Sequence, residues 1–238
     1  MTQLLVSVGS LDEALDAVEA GADLIDLKEP SAGSLGRVSD AVAFEVSARF
    51  GGQVPLSMAL GELLADLPAA EETQTDPFAL PDAISFAKLG LAGCAAIDRW
   101  PGRWEAAVRQ LPATCAPVAV IYADWEATFS PAPETVLEWA TCLGCRALLI
   151  DTYEKKGGSV FDHLELNRLA RLIAIARSRR LLSVLAGSLT LDTAREAFQL
   201  APDFVAVRGA VCDGSRSARL MPEKVRQWKA LCRSGFPA

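Results

Sequence analysis

The chain has 238 residues, of which 51% are hydrophobic and 22% charged, and its net charge at pH 7 is −7. This composition supplies a sizeable apolar core and excludes a disordered chain. The negative charge argues against nucleic acid as the main partner, because neutralising a phosphate backbone requires a basic surface. A small phosphorylated ligand is still allowed, since it needs only a local positive pocket.

Two features of the sequence bear on its compartment. The N-terminal segment MTQLLVSVGS lacks the basic start and apolar run of a secretory signal, and no window approaches the roughly 18 apolar residues of a membrane span. We therefore expect a cytoplasmic protein with no membrane contact. The six cysteines are expected to be reduced and buried. The single C-x-x-C, Cys142 and Cys145, is weak evidence for a metal, and we predict neither a metal nor a cofactor.

Short β-rich segments alternate with helical patterns along the whole chain. Strands are predicted at residues 4–8, 22–28, 54–60, 85–93, 117–124, 146–152, 181–188 and 203–210. Helices are predicted at residues 11–21, 38–50, 78–84, 101–111, 133–143, 163–178, 191–199 and 215–233, and Ser10 is expected to cap the first of them. Eight such units without a linker predict one domain over residues 1–238, an α/β fold with a single (β/α)8 TIM barrel.

One alternative fold and one irregular segment accompany this predicted architecture. A doubly wound open sheet would place a glycine-rich phosphate loop after its first strand, where this chain has Val8-Gly9-Ser10-Leu11 instead of G-x-G-x-x-G. The acidic, proline-containing segment 61–77 interrupts the regular alternation. It is interpreted as a lid or as a contact between subunits.

The second predicted strand carries charged residues where a core strand would be apolar. In ADLIDLKEPSAGSLG, residues 22–36, Asp26 and Lys28 are two positions apart and therefore point to the same face. A partly desolvated lysine can become a neutral amine that forms a Schiff base with a carbonyl. This pair predicts carbonyl chemistry at the end of the second strand.

Further charged residues follow or interrupt other strands, and in a barrel the C-terminal strand ends converge on the catalytic site. Lys88 lies inside the apolar segment FAKLG, and Asp151 ends the sixth strand with Lys155 four positions later. Lys155 belongs to a loop, where a solvated lysine without a catalytic role is the better interpretation of this residue taken alone. Asp26 and Asp151 could cap their loops, but together with the lysines they predict groups for proton transfer.

Small residues after the seventh and eighth strands predict phosphate binding, because such loops expose backbone N–H groups at one end of a barrel. The candidates for substrate or phosphate binding are Gly187, Ser188, Arg208, Gly209, Ala210 and, in the loop after the second strand, Ser34. Glycines are also common in ordinary turns, and Arg208 could pair with a carboxylate at the rim of the barrel instead.

These segments resemble the (5-formylfuran-3-yl)methyl phosphate synthase family, also described as 4-(hydroxymethyl)-2-furancarboxaldehyde-phosphate synthase. The resemblance covers nearly the whole chain and depends on five segments in the same order. They are EAGADLIDLKEPSAGSLG, FAKLGL around Lys88, Asp151-Thr152-x-x-Lys155, AGSL near residues 186–189 and RGAVC near residues 208–212. The acidic segment 61–77 departs from what we expect of archaeal members.

The resemblance implies a lyase that condenses two molecules of glyceraldehyde 3-phosphate with loss of phosphate and water. It implies a Schiff base on Lys28, a second essential lysine at Lys88, and proton transfers by Asp26, Asp151 and Lys155, all without a metal or cofactor. The product would serve the biosynthesis of methanofuran or methylofuran, the furan carriers of one-carbon metabolism. We expect the protein to be a homo-oligomer.

Three other functions are compatible with the same residues. Asp26-x-Lys28 is similar to the D-x-K motif of phosphosugar decarboxylase barrels, but those have a second aspartate three residues after the lysine, where this chain has Ser31. A class I aldolase would also use a Schiff-base lysine. A non-catalytic barrel could bind phosphorylated metabolites without turnover.

Overall fold

The computed structural model describes residues 1–64, 78 and 80–234. Over these residues eight parallel strands form a closed barrel in the order β1 to β8, each paired with its neighbours in sequence and β8 paired with β1. The strands are β1 Gln3–Val8, β2 Leu24–Leu27, β3 Leu56–Glu62, β4 Ile84–Gly90, β5 Ala116–Tyr122, β6 Ala147–Asp151, β7 Leu182–Leu185 and β8 Phe204–Val207.

Helices cover the outside of the barrel. They are α1 Leu11–Glu19, α2 Asp40–Phe50, α3 Trp100–Val108, α4 Pro133–Cys142, α5 Val160–His163, α6 Leu166–Ser178, α7 Ala194–Gln199 and α8 Pro222–Ser234. Short 3₁₀ turns occupy Pro30–Ala32, Cys94–Ala96 and Gly209–Val211. The predicted cap of α1 is confirmed, since the Ser10 hydroxyl accepts a hydrogen bond from the Glu13 backbone N–H.

The predicted (β/α)8 barrel is confirmed, and the open sheet is wrong because the barrel closes between β1 and β8. The helix predicted at 78–84 is also wrong over its described residues. Phe78 and Leu80 lie in irregular backbone, and strand β4 already begins at Ile84. The helix predicted at 163–178 starts at Leu166, after the separate short helix α5. Most of the segment 61–77 lies outside the described residues.

The alternation of side chains along each strand divides the core into two apolar layers. On β1, Leu4, Val6 and Val8 are buried against the surrounding helices, whereas Leu5 belongs to a separate cluster inside the barrel. Parallel strands covered on both faces are expected to be apolar on both faces. The interior cluster also includes Leu24 and Val118, so the barrel is packed with side chains and is not a pore.

Toward the C-terminal ends of the strands, polar residues replace apolar ones in the barrel interior. The strand register places Ser7 beside Asp26, and Asp26 beside Ser57, on the neighbouring strands β1, β2 and β3. All three side chains are buried. This register therefore concentrates hydrogen-bonding groups at one level of the barrel, around the Asp26 carboxylate.

The loop after β2 folds back tightly and presents Lys28 at the strand end. The Lys28 backbone N–H donates to the carbonyl of Val8, and the Glu29 N–H donates to the carbonyl of Gly36, both at 2.9 Å. A side chain at position 36 would overlap the Glu29 carbonyl oxygen. Glycine at position 36 therefore allows the loop to close beside Lys28.

All six cysteines are free thiols in the structure, and five of them are buried. Cys142 is exposed, which corrects the expectation that every cysteine is buried; it lies at the end of α4, one turn before the buried Cys145. The described residues include no cluster of three or more histidine, cysteine or carboxylate side chains suited to a metal ion. Over the same residues, no helix has the length and apolar character needed to cross a membrane.

Candidate active site

A cavity of about 470 Å³ opens at the C-terminal ends of the strands. This volume falls within the roughly 300–1,000 Å³ typical of small-molecule sites. The structure brings all five predicted catalytic residues to its lining: Asp26, Lys28, Lys88, Asp151 and Lys155. Two carboxylates and three lysines thus share one concave site.

The Asp26 carboxylate is surrounded by donors from three other strands. Its Oδ1 accepts hydrogen bonds from the Ser57 hydroxyl, at 2.6 Å, and from the Lys88 ammonium. Its Oδ2 accepts one from the Ser7 hydroxyl at 2.9 Å. Both side chains of the Asp26–Lys88 ion pair are at most 6% exposed. Neither Asp26 oxygen is therefore left without a donor.

These donors determine the ionisation of Asp26. Burial alone would raise its pKa, but the positive charges of Lys88 and Lys28, with the hydrogen bonds from Lys88 and Ser57, outweigh that effect. The pKa of Asp26 consequently lies below its ordinary value. Asp26 is a stable anion, and it holds Lys88 in place.

The Asp151 carboxylate has fewer partners. Its Oδ1 accepts hydrogen bonds from the Thr152 backbone N–H, at 2.8 Å, and from Lys155 Nζ, at 2.7 Å. Lys155 also donates to the carbonyl oxygen of Thr152. Oδ2 of Asp151 makes no hydrogen bond to the described residues. Burial raises the pKa of Asp151, but the charges of Lys155 and Lys28 and the hydrogen bonds from Lys155 and Thr152 lower it further than burial raises it.

Lys28 lies between these two groups and is only 7% exposed. No carboxylate oxygen of the described residues lies within 4 Å of its ammonium, and its Nζ makes no hydrogen bond to them. Burial lowers the pKa of Lys28, as do the positive charges of Lys155 and Lys88, while Asp151 and Asp26 raise it. The resulting pKa is about 8, compared with 10.5 for an ordinary lysine. Near neutral pH, Lys28 is therefore the nucleophilic amine far more often than an ordinary lysine is.

Arg208 lines the cavity, but its hydrogen-bond donors are all used by other groups of the protein. Its guanidinium forms a two-point ion pair with Glu13, at 2.5 and 2.9 Å. Its other donors reach the backbone carbonyls of Ser7, Arg216 and Ala218. All five N–H groups of Arg208 thus have acceptors within the protein. Its ion pair with Glu13 is the pairing with a carboxylate that the sequence analysis gave as the alternative to phosphate binding.

The small residues after β7 and β8 also line the cavity. They are Gly187, Ser188, Gly209 and Ala210. Gly187 and Ser188 have positive φ values of 92° and 51°. Positive φ is uncommon for a serine, and it turns the backbone of both residues at the strand end. The backbone N–H groups of these four residues make no hydrogen bond within the described chain, so they are available to an anion.

Ser34 lies outside the lining of the cavity. It is buried, and its hydroxyl donates to the carbonyl oxygen of Thr152 at 3.0 Å. The Ser34 hydroxyl is thus used inside the protein, and its contact with substrate stays a prediction. Its hydrogen bond joins the loop after β2 to the loop after β6, the two loops that carry Lys28 and Lys155.

Among the residues that the sequence analysis did not single out are Ser7 and Arg216, which line the cavity, and Ser57, which donates to Asp26. The two serines occupy inward positions in otherwise apolar strands, so strand alternation could have singled them out. Arg216 lies within the helix predicted at 215–233, but this prediction is wrong at its start: α8 begins at Pro222, and residue 216 belongs to an irregular segment after β8.

Comparison with known proteins identifies the family. A family model described as 4-HFC-P synthase matches residues 4–229. The chain belongs to this family. It is 30% identical over 233 residues to the (5-formylfuran-3-yl)methyl phosphate synthase of Archaeoglobus fulgidus, which covers 94% of this chain and 96% of the relative. The synthase of the same name from Methanothermobacter thermautotrophicus is also 30% identical, over 96% of this chain and 98% of its own length. Membership in a family of synthases makes the chain an enzyme.

Solved structures support the fold of this family member. The structure resembles phosphoribosyl anthranilate isomerase from Thermotoga maritima with a TM-score of 0.61, at 17% identity over 99% of this chain and 100% of that one. It resembles 3-hexulose-6-phosphate synthase from Salmonella typhimurium with a TM-score of 0.60, at 13% identity over 97% and 100% of the two chains. At such low identity these likenesses concern the barrel alone.

Proposed function

We propose that this enzyme condenses two molecules of glyceraldehyde 3-phosphate to (5-formylfuran-3-yl)methyl phosphate through a Schiff base on Lys28. The observation that carries this proposal is the environment of Lys28, a buried lysine with no ion-pair partner among the described residues, in a cavity lined by two carboxylates. The name that its relatives share supports the product.

The first steps use the amine of Lys28. It attacks the carbonyl carbon of one triose phosphate, and loss of water gives an iminium that draws electrons from the neighbouring carbon. A base then removes a proton from that carbon to form an enamine. The free Oδ2 oxygen makes Asp151 the best-placed base in the site, because both oxygens of Asp26 already accept hydrogen bonds.

The later steps build the ring. The enamine expels the phosphate of the first triose and leaves an enol whose terminal carbon is the nucleophile. The second triose phosphate isomerises from aldehyde to ketone, and the enol carbon attacks this ketone carbon, which places the phosphomethyl group at position 3 of the furan. Ring closure and dehydration follow, and water releases the product from Lys28. Two triose phosphates thereby give one furan phosphate, one inorganic phosphate and two waters, with no net oxidation. The stability of the aromatic ring favours the product.

The other charged groups have supporting parts in this proposal. Lys88 remains paired with Asp26 and presents a positive charge to the oxygens of the reacting carbonyls. Lys155 contacts Asp151 and can return protons to leaving oxygens. The backbone N–H groups after β7 and β8 provide one phosphate site.

The test combines trapping with product analysis. The protein is incubated with glyceraldehyde 3-phosphate, with and without cyanoborohydride, and followed by intact mass, peptide mapping and furan absorbance. We expect a reduced triose adduct on Lys28 and, without the reductant, a furan aldehyde phosphate and free phosphate. An adduct on Lys88 alone would exchange the roles of the two lysines. A folded protein that gives neither adduct nor furan would contradict the proposal.

The substrate, a homo-oligomeric state, a cytoplasmic location and a part in furan cofactor biosynthesis belong to the same proposal. A role in methanofuran or methylofuran synthesis predicts that deleting the gene removes the furan cofactor from the cell. The oligomeric state is measurable by light scattering on the purified protein.

A further inference from the structure

The cations of the cavity differ in whether they have a carboxylate partner. Lys88, Lys155 and Arg208 pair with Asp26, Asp151 and Glu13, respectively. Among the described residues, no such partner lies within 4 Å of the other lining cations, which are Lys28, Lys156 and Arg216. Lys28 is assigned to the chemistry and Lys156 is exposed. Arg216 remains as a half-buried positive charge without an ion pair among the described residues, and Asp151 and Glu29 act on it only at longer range.

Arg216 is held in a defined position above the cavity. It lies in the segment between the 3₁₀ turn Gly209–Val211 and helix α8, which is closed by a bridge between Cys212 and Leu220. One guanidinium nitrogen of Arg216, NH2, donates to the carbonyl of Gly33 at 3.0 Å, across the cavity mouth in the loop after β2. Its other N–H groups make no hydrogen bond within the described chain. The guanidinium is thus anchored by its hydrogen bond to Gly33, and its remaining N–H donors can bind a ligand.

Arg208 sets the position of this segment. Its Nε donates to the backbone carbonyl of Arg216 at 2.8 Å, and its NH2 donates to that of Ala218 at 3.4 Å. The ion pair with Glu13 on α1 fixes the Arg208 side chain in turn. Arg208 therefore holds the backbone of residue 216 in place, and the side chain of Arg216 extends from that backbone over the cavity.

The surroundings of Arg216 suit a phosphate. Gly209 and Arg216 are neighbours: a Cβ atom built on Gly209 would lie 3.7 Å from the Cβ of Arg216. The side chain of Arg216 therefore starts next to the backbone of Gly209, whose N–H makes no hydrogen bond within the described chain. Its guanidinium then spans toward Gly33, on the side of the cavity where Lys28 emerges. A planar fork of N–H donors matches the geometry of phosphate oxygens and forms charge-assisted hydrogen bonds with them.

We propose that Arg216 is the side chain that binds a phosphate group of the triose phosphate substrate, and that Arg208 positions it. This inference rests on the proposed function for the identity of the substrate. It assigns to Arg216 the contact that the sequence alone suggests for Arg208. A phosphate held there would keep the carbonyl of the same molecule within the cavity near Lys28.

The test removes the arginine and the phosphate separately. Arg216→Gln, Arg216→Lys and the control Arg219→Gln are compared by calorimetric titration with glycerol 3-phosphate, which has no carbonyl to react. Arg219 is an exposed arginine of the same segment and does not line the cavity. Trapping on Lys28 is then measured with glyceraldehyde 3-phosphate and with unphosphorylated glyceraldehyde.

We expect Arg216→Gln to weaken glycerol 3-phosphate binding by roughly 10- to 100-fold, as lost charge-assisted hydrogen bonds do, with partial recovery in Arg216→Lys and no change in Arg219→Gln. Trapping efficiency should fall by a similar factor with glyceraldehyde 3-phosphate and stay the same with glyceraldehyde. Unchanged binding by Arg216→Gln would overturn the inference. Equal loss of trapping with both aldehydes would also overturn it, because a general distortion of the site would then explain the effect.

The two proposals fail in distinguishable ways. If the wild-type protein gives no adduct and no furan, the proposed function is wrong, yet the titration with glycerol 3-phosphate still decides whether Arg216 binds phosphate. If adduct and furan form at wild-type levels in Arg216→Gln, the function stands and the assignment of Arg216 is wrong.

Discussion

The two carboxylates of the cavity have the same side chain and a lysine partner each, but they differ in what their oxygens contact. Asp26 receives three side-chain hydrogen bonds, from Ser7, Ser57 and Lys88, on its two oxygens. Asp151 receives its side-chain and backbone hydrogen bonds on Oδ1 alone. Both carboxylates pair with a lysine, so charge pairing does not distinguish them. What distinguishes them is the Oδ2 oxygen of Asp151, which accepts no hydrogen bond from the described residues, and the proposed function uses this oxygen as the base.

Lys28 lies between these two regions and depends on both. Each aspartate raises its pKa while Lys155 and Lys88 lower it, so the charges largely oppose each other and burial decides the outcome. A lysine placed in either ion pair would be held as an ammonium. The neighbouring carboxylates already have lysine partners of their own, which favours the neutral amine that the proposed Schiff base requires.

The largest expected effect comes from removing the lysine between the two regions. Lys28→Met should lower kcat by roughly 10⁴-fold or more and abolish trapping, because the reacting amine is lost. Its unfolding free energy should stay the same or rise, since the variant buries no unpaired cation. Steady-state kinetics and urea unfolding measure these changes, with the exposed Arg219→Met as the control, since Arg219 does not line the cavity. Full activity in Lys28→Met would rule out this residue as the nucleophile.

The second effect separates the two carboxylates directly. Asp151→Asn should lower kcat by roughly 10²- to 10⁴-fold, the usual contribution of a general base, while the adduct on Lys28 still forms. Asp26→Asn should instead lose stability, since Lys88 would keep a buried charge without its partner. Turnover measured beside trapping distinguishes the two. Normal turnover in Asp151→Asn would assign the proton transfer elsewhere.

A third effect concerns stability. Lys88→Met should lower the unfolding free energy by about 3–5 kcal/mol, because it leaves the buried Asp26 charge without its ion pair. Lys155→Met should cost no more than about 2 kcal/mol, because Lys155 is 17% exposed and solvent shares the interaction. Chemical denaturation of both variants makes the comparison. Equal losses would mean that the two ion pairs are energetically alike.

The fourth effect is a pH dependence of imine formation. Only the neutral amine attacks, so the rate of trapping should rise about tenfold per pH unit below the pKa of Lys28, about 8, and level off above it. Asp151→Asn removes the larger of the two negative charges that raise this pKa, so its profile should level off at a lower pH. A wild-type rate that still rises beyond pH 10 would show that Lys28 titrates as an ordinary lysine.

The smallest effect tests whether Ser34 contacts substrate. Ser34→Ala removes one hydrogen bond to the Thr152 carbonyl and should cost about 1 kcal/mol of stability. Its affinity for glycerol 3-phosphate should equal that of the wild type, because Ser34 does not line the cavity. Thermal unfolding and calorimetric titration provide the two readings. A tenfold loss of affinity would restore Ser34 as a phosphate contact.

The sequence predicted those parts of the protein that depend on periodicity. Alternating strands and helices indicated the barrel, and charged residues at strand ends identified Lys28, Lys88, Asp26 and Asp151, because the topology brings strand ends together. Lys155 was singled out because it follows Asp151, at the end of the sixth strand, by four positions in the sequence.

The rest depended on contacts between distant parts of the chain. Arg208 pairs with Glu13, 195 residues away, and no local pattern indicates that its donors are already occupied. The same holds for the hydrogen bond between Arg216 and Gly33. The helix expected at 78–84 failed because its apolar residues instead precede and begin strand β4. Apolar segments of this length do not separate the two structures.

The two carboxylate regions also differ in how far along the chain their partners lie, which has a consequence for folding. Asp151 meets Thr152 and Lys155 within four residues, so this cluster can form as soon as the loop after β6 turns. Asp26 meets donors 19, 31 and 62 residues away, on β1, β3 and β4. Its charge stays in water until four strands have assembled, because long loops must close first. Burial of Asp26 is thereby a marker for completion of the first half of the barrel.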